Sequence, residues 1–200
     1  MTDSPTTPID SLLTRTSLAG SFMKAPGPSD EELRQILGAA QRAADHDRLR
    51  PWRFYVVRPE QYEVFYDRLA EAATRVQGDP SLYERNREKY RLTARAPLLV
   101  VAAAKIDATK KVAPIEQAFA GAGATQLVLN AAHALGYKAF LFSGAGVFDV
   151  PFKASLGLDA SDHLIGFICL GTGNGPGKPG PTAEAAVRDG LEQTVKQWIP

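Results

Sequence analysis

Cysteine is nearly missing. Cys169 is the only one in 200 residues, which excludes an intrachain disulfide and any metal cluster built from cysteines. Its neighbours Phe167, Ile168 and Leu170 predict a buried, inert thiol rather than a nucleophile. Histidine is scarce too. His46, His133 and His163 lie far apart and form no HExxH-type pair, so no metal site is expected. No Gly-x-Ser-x-Gly elbow occurs, which removes the usual foothold of a hydrolase. Charge of one sign is not in excess either: 23 Lys and Arg face 22 Asp and Glu, for a formal net charge of +1. No global field draws the chain to nucleic acid or an anionic membrane, and neither is expected as a partner.

The opening MTDSPTTP has neither a basic region nor an apolar one and reads as a disordered arm over residues 1–8, not as a secretion signal. Residues 9–200 have the length and ordinary composition of one domain, expected in the cytoplasm. One long run, from Glu116 to Lys138, holds no charged residue between its ends and could span a bilayer by length alone. It carries Gln117, Thr125, Gln126, Asn130 and His133 among alanines and glycines, which suits a helix enclosed by protein. Glycine motifs are incomplete. Gly144-Ala-Gly146 lacks the third glycine of a dinucleotide fingerprint, because position 149 is Asp149, and the run Gly171 to Pro181 contains no GK[ST]. With no side-chain catalytic machine in view, an enzyme of this sequence would rely on a cofactor.

Helices are predicted over Ile9–Ser17, from the spacing of Ile9, Leu12 and Leu13, and over Glu60–Val76, Ser81–Thr93, the uncharged Pro114–Leu135 and Pro151–Leu156. A capping box of Ser29 and Glu32 opens a further helix to about Ala44, with the apolar stripe Leu33, Ile36, Leu37, Ala40 and Ala44. Strands are predicted at Trp52–Val57, Pro97–Ala104, Lys138–Phe142 and Leu164–Leu170. Gly171–Pro181 reads as a loop, and Trp198 and Ile199 are apolar residues stranded in a tail.

Two pairs stand out. Arg15 and Ser17 could both reach one phosphate, or could equally serve as an ordinary helix C-terminal cap. Arg42 falls opposite its helix's apolar stripe, and His46 would lie beside it if the helix persists, so both point either to solvent or across a subunit boundary. Arg48, Arg50 and Arg53 add positive charge, partly offset by Asp45 and Asp47. The uncharged helix needs cover on its second face, which a two-fold partner or the rest of the chain could supply.

In order and spacing these segments resemble the nitroreductase family of FMN enzymes, in particular its compact bacterial subgroup. The resemblance runs from Ile9 to Thr172 and rests on R-x-S (Arg15, Ser17), PSDEELRQILGAAQRA (Pro28–Ala43) and ADHDRLRPWRFYVV (Ala44–Val57). It continues through APLLVVAAAK (Ala96–Lys105), NAAHALGYKAFLFSGA (Asn130–Ala145) and GFICLGT (Gly166–Thr172). It implies an α+β fold, a central mixed sheet flanked by helices, in an intertwined homodimer with FMN at the interface. By position it implies that Arg15, Thr16 and Ser17 hold the FMN phosphate and ribityl chain. Arg42 and His46 would reach the flavin of the other subunit, while Leu141, Phe142 and Ser143 pack beside the ring. Ala131, Ala132, His133, Ala134, Leu135 and Gly136 match a stretch associated with NAD(P), and Lys178, in the glycine-rich loop, is a candidate for an extra phosphate ligand. The sequence departs from the broader family at Ala19, where a basic residue is usual, at His46, where a small hydroxyl residue is usual, and at Arg48-Leu49-Arg50-Pro51-Trp52, in place of N-x-Q-P-W.

The implied activity is ping-pong hydride chemistry, with NAD(P)H as co-substrate and a nitroaromatic, quinone or similar small molecule as acceptor. Rival readings keep the flavin and change the reaction, to flavin fragmentation or dehalogenation, or make the chain a non-catalytic FMN-binding, redox-sensing dimer.

Overall fold

Strand β1 (Trp52–Val57) pairs antiparallel with β2 (Leu98–Ala104), β2 with β4 (His163–Gly171), and β4 with β3 (Lys138–Phe142), giving the order β1-β2-β4-β3. The computed structural model describes residues 7–174 and 183–198. Residues 1–6 of the expected disordered arm, Lys178, most of the glycine-rich loop and Ile199 lie outside them. Mixed character enters the sheet at one point: the segment after the first helix adds a parallel bridge, Ser17 to Ala139, on the free edge of β3. The four strands themselves are wholly antiparallel.

Two layers of helix cover this sheet. Strand β2 is buried along its whole length, and its alternation divides the core. Leu99, Val101 and Ala103 face one cluster with α3 (Tyr62–Gln77), α4 (Tyr83–Thr93) and α6 (Val150–Ser155). Leu98, Val100 and Ala102 face the other, with α2 (Asp30–Ala39) and α5 (Pro114–Ala134). Cys169 is fully buried in the first cluster, and burial pushes its thiol up to about 12, as an inert structural cysteine requires.

Helix α5 sets the geometry of the molecule. Gln117, Ala120, Gly121, Ala124, Thr125, Val128, Leu129 and Ala132 form its buried stripe, at the spacing of one helical face. A side chain on Gly121 would put its Cβ 2.7 Å from that of Ala104, so hydrogen here is what lets the helix lie close on the sheet. The opposite face is open: Ile115 and Phe119 are 55% and 66% exposed, with Ala122, Gly123 and Gln126 following them. Enclosure on every side, as the sequence suggests, is therefore not achieved within one chain. Among the described residues no helix is long and apolar enough to cross a membrane.

Gly144 and Gly146 have packing roles. A Cβ on Gly144 would meet the Tyr90 hydroxyl at 2.7 Å, and one on Gly146 would meet Leu69 at 2.8 Å. These glycines let the chain leaving β3 press against α3 and α4, which accounts for the pair without a dinucleotide fingerprint.

Candidate functional site

Helix α1 (Pro8–Thr14) is shorter than periodicity suggests, ending before Arg15, whose backbone is extended. That early end frees Arg15, Thr16 and Ser17 to run along the edge of β3, where Leu18 N–H donates to the Ala139 carbonyl at 3.4 Å. Arg15 Nη1 donates to Ser17 Oγ at 3.4 Å, so guanidinium and hydroxyl do converge. The same bridge brings in groups distant in sequence. Thr14 Oγ1 lies 3.1 Å from His133 Nε2 at the C-terminal end of α5. Burial holds the His133 pKa below its ordinary value, and the nearby cations Lys138 and Arg15 push it further down. Arg15, Lys138, Ser17 and neutral His133 thus make a positive cluster rich in donors, suited to a phosphate. Lys138 was not among the sequence candidates, because only the long-range Ser17–Ala139 bridge aligns it with Arg15.

Around α2 the outcome differs from expectation. The capping box is present, with Glu32 Oε2 accepting from Ser29 N at 2.8 Å and Ser29 Oγ accepting from Glu32 N at 3.3 Å. The same Glu32 oxygen accepts from Tyr137 Oη at 2.9 Å, tying the helix start to the end of α5. The helix, however, stops at Ala39. One tight turn covers Ala40–Arg42, and Ala43 is not helical (ψ 145°). His46 therefore does not lie beside Arg42 on a continuing helix, and Ala44 is exposed instead of extending the apolar stripe. The cause is local. Asp45 turns its carboxylate to the backbone, accepting from Arg50 N at 2.6 Å, and so offers the chain an alternative to helix. Asp47, Arg48 and Arg50 all take left-handed backbone conformations, with φ of 59°, 55° and 47°. Such residues cost about 1–3 kcal/mol each and concentrate at functional sites.

Both residues nonetheless remain on the surface near α5. Arg42 is exposed and pairs with no carboxylate among the described residues. His46 Nδ1 lies 3.5 Å from Glu116 Oε2, in the first turn of α5. Glu116 and His133 stand 17 residues apart on one helix, so the His46 and Arg15 groups are about 25 Å apart within a protomer at the helical rise.

The remaining candidates divide. Leu141 is half-buried, packed toward the α5 side, and Ser143 is exposed just past the strand end. The Phe142 ring is buried against Phe167, 5.2 Å between centroids, so that position can offer only main chain to a ligand. Ala132 is fully buried in the core and serves packing, whereas Ala131 and His133 are half-buried and Ala134, Leu135 and Gly136 are exposed. No group of three or more potential metal ligands occurs among the described residues.

The sequence pattern of the nitroreductase family matches residues 12–172. A protein of Escherichia coli K12, YdjA, provisionally named an NAD(P)H nitroreductase, is 31% identical over 154 residues, covering 77% of this chain and 82% of its own. A nitroreductase-like protein from Bacillus cereus superposes with a TM-score of 0.72 over the full length of both chains at 15% identity. A nitroreductase-type protein from Desulfovibrio desulfuricans, solved in complex with FMN, gives a TM-score of 0.64 at 22% identity, again over both whole chains.

Proposed function

Since the chain belongs to the nitroreductase family, we propose that it is an FMN-dependent oxidoreductase whose cofactor is held between two copies of the chain. NAD(P)H serves as reductant, and small molecules such as nitroaromatics or quinones serve as acceptors. The observation that carries this reading is the separation of the two positive groups. Arg15 and Ser17 sit by one end of α5 and His46 by the other, too far apart to share one small cofactor within a protomer. A two-fold axis crossing α5 near its middle exchanges the ends of the helix and brings the two groups together. The exposed face at Ile115, Phe119, Ala122 and Gly123 is where such an axis would pass.

The residues present fit the cofactor. Arg15 offers a guanidinium to its phosphate, Ser17 and Thr16 offer hydroxyls, and Lys138 adds a second cation. Leu141 gives an apolar surface for the ring. When bound, FMN would supply the redox chemistry, linking hydride donation by the reduced nicotinamide to reduction of the acceptor. The chain's part is to bind and orient. Arg42 of one copy would supply fixed positive potential toward the flavin held by the other, favouring its reduced, more negative form. The Ser143 main chain, exposed just past β3, would offer hydrogen bonds to the flavin. Cys169 takes no part, being buried and held as the thiol.

The test is direct. The purified protein is expected to be yellow, and NADH or NADPH added without oxygen should bleach it, with colour returning on addition of a nitroaromatic or quinone. A colourless protein that takes up no added FMN would refute the reading, and flavin that stays oxidised would make the chain a binding protein only.

A further inference from the structure

A second concavity lies near the N-terminal end of α5, far from the Arg15 cluster. Leu49, Pro51, Arg53, Lys105, Lys110 and Gln117 contribute to its walls, which enclose about 430 Å³. Its cations are poorly neutralised. Arg53 Nη1 donates to the carbonyls of Arg50 and Trp52 at 2.9 and 2.8 Å, and no carboxylate among the described residues pairs with it. Lys105 Nζ donates once, to the Gly157 carbonyl at 3.1 Å. The single lining carboxylate, Asp107, is engaged by Thr109, whose N–H and hydroxyl donate to it at 3.0 and 2.6 Å, and Lys110 lies 4.0 Å away. Three cations therefore face one carboxylate that is already occupied.

The loop between β2 and α5, which bears Lys105 and Lys110, is irregular yet firmly tied. Ile106 N–H donates to Asp162 at 2.6 Å, and Asp107 N–H donates to Gln117 Oε1 at 2.8 Å. Gln117 Nε2 in turn donates to the carbonyls of Asp107 and Val112, at 3.1 and 3.0 Å. Gln117 and Asp162 are each only 2% exposed. Two buried polar side chains thus fix the shape of a surface loop, as a preorganised binding site requires.

We propose that this cleft takes a phosphate monoester, and that its source is the 2′-phosphate of NADPH. A guanidinium with free N–H groups and two ammonium groups suit a tetrahedral dianion, and Leu49 and Pro51 give an apolar wall for the attached nucleoside. The inference rests on the proposed flavin reading. The loop that carries His46 toward the flavin also supplies Leu49 and Pro51, so the cleft adjoins the place where a dinucleotide would stack. The 2′-phosphate is the only group that separates NADPH from NADH, and the cleft therefore selects NADPH.

Calorimetry on the flavin-loaded protein, with adenosine 2′,5′-bisphosphate, adenosine 5′-monophosphate and inorganic phosphate as probes, tests the site itself. Steady-state kinetics of the parent and of Lys105→Met, Lys110→Ala and Arg53→Met, with NADPH and NADH, tests the assignment. The bisphosphate is expected to bind at least about tenfold more tightly than the monophosphate, and the parent to favour NADPH by a similar factor in kcat/KM. Each variant should lose most of that preference through a higher KM for NADPH, with NADH turnover, flavin content and melting temperature unchanged. Lys110→Ala, at an exposed position, serves if the other two fold poorly. Equal kcat/KM for the two dinucleotides in the parent would overturn the proposal. So would inorganic phosphate binding as well as the bisphosphate, or loss of FMN from the variants, which would make the cleft a flavin-phosphate site. Should the protein prove not to bind flavin, the bisphosphate titration still decides whether the cleft is a phosphate site, and absence of binding there would overturn it.

Discussion

His133 reports on the charge of its surroundings. Burial first, and then Lys138 and Arg15, hold its pKa below the ordinary value, so it is neutral near pH 7. The folded value lies below the unfolded one, so the unfolded chain binds the proton more readily. Its contribution to stability is complete above the unfolded value, declines as pH falls through it, and levels off below the folded value. A phosphate held by Arg15 and Lys138 would offset both cations. NMR titration is therefore expected to show the His133 pKa rising when FMN binds. In Arg15→Ala it should rise even without FMN, while FMN affinity falls about tenfold or more. If the His133 titration does not move on saturation with FMN, the phosphate lies elsewhere.

At the scale of elements, α5 lies on the sheet by virtue of a single missing side chain. Gly121→Leu would drive a branched group into Ala104 and Ile165, both held in strands, and is expected to lower stability by about 1–3 kcal/mol. Gly38→Ala is the counter-case. Nothing lies within 4 Å of its Cβ position in α2, so alanine should stabilise by about 0.5–1 kcal/mol. Urea denaturation of the two variants checks both signs. Which elements could be read beforehand follows from whether the signal was local. Strands β1 and β3 match their predicted residues from end to end, because WRFYVV and KAFLF are bounded by turn residues on the chain itself. The buried stripe of α5 is not legible in this way, because alanines, glycines and uncharged side chains occupy both faces and leave no one-sided apolar pattern to read. The extension of α2 to Ala44 failed because Asp45 prefers the backbone of Arg50, a competition that periodicity does not register. The candidate cluster divides in the same way: Arg15 and Ser17 are neighbours in sequence and can be read as a pair, while Lys138 joins them only through a bridge between residues 122 positions apart.

At the scale of the whole molecule, the open apolar surface requires an explanation. Ile115 and Phe119 on α5 are exposed, as are Ile9, Leu12 and Leu13 on α1 and Leu191, Val195 and Trp198 near the C-terminal end. Single exposed apolar residues need no explanation, but a helix without a charged side chain from Gln117 to Ala134 and with one face bare does. A second copy related by a two-fold axis would cover the α5 face and, in the same step, set Arg42 and His46 of one chain against the Arg15 cluster of the other. Phe119→Asp places a charge at the bare face without touching either positive group. Sedimentation should then show protomers in place of dimers, and FMN should dissociate with them, although Arg15, Ser17 and Lys138 are intact. If the variant instead sediments as a protomer that holds its flavin tightly, one chain suffices to build the pocket and the shared site is wrong.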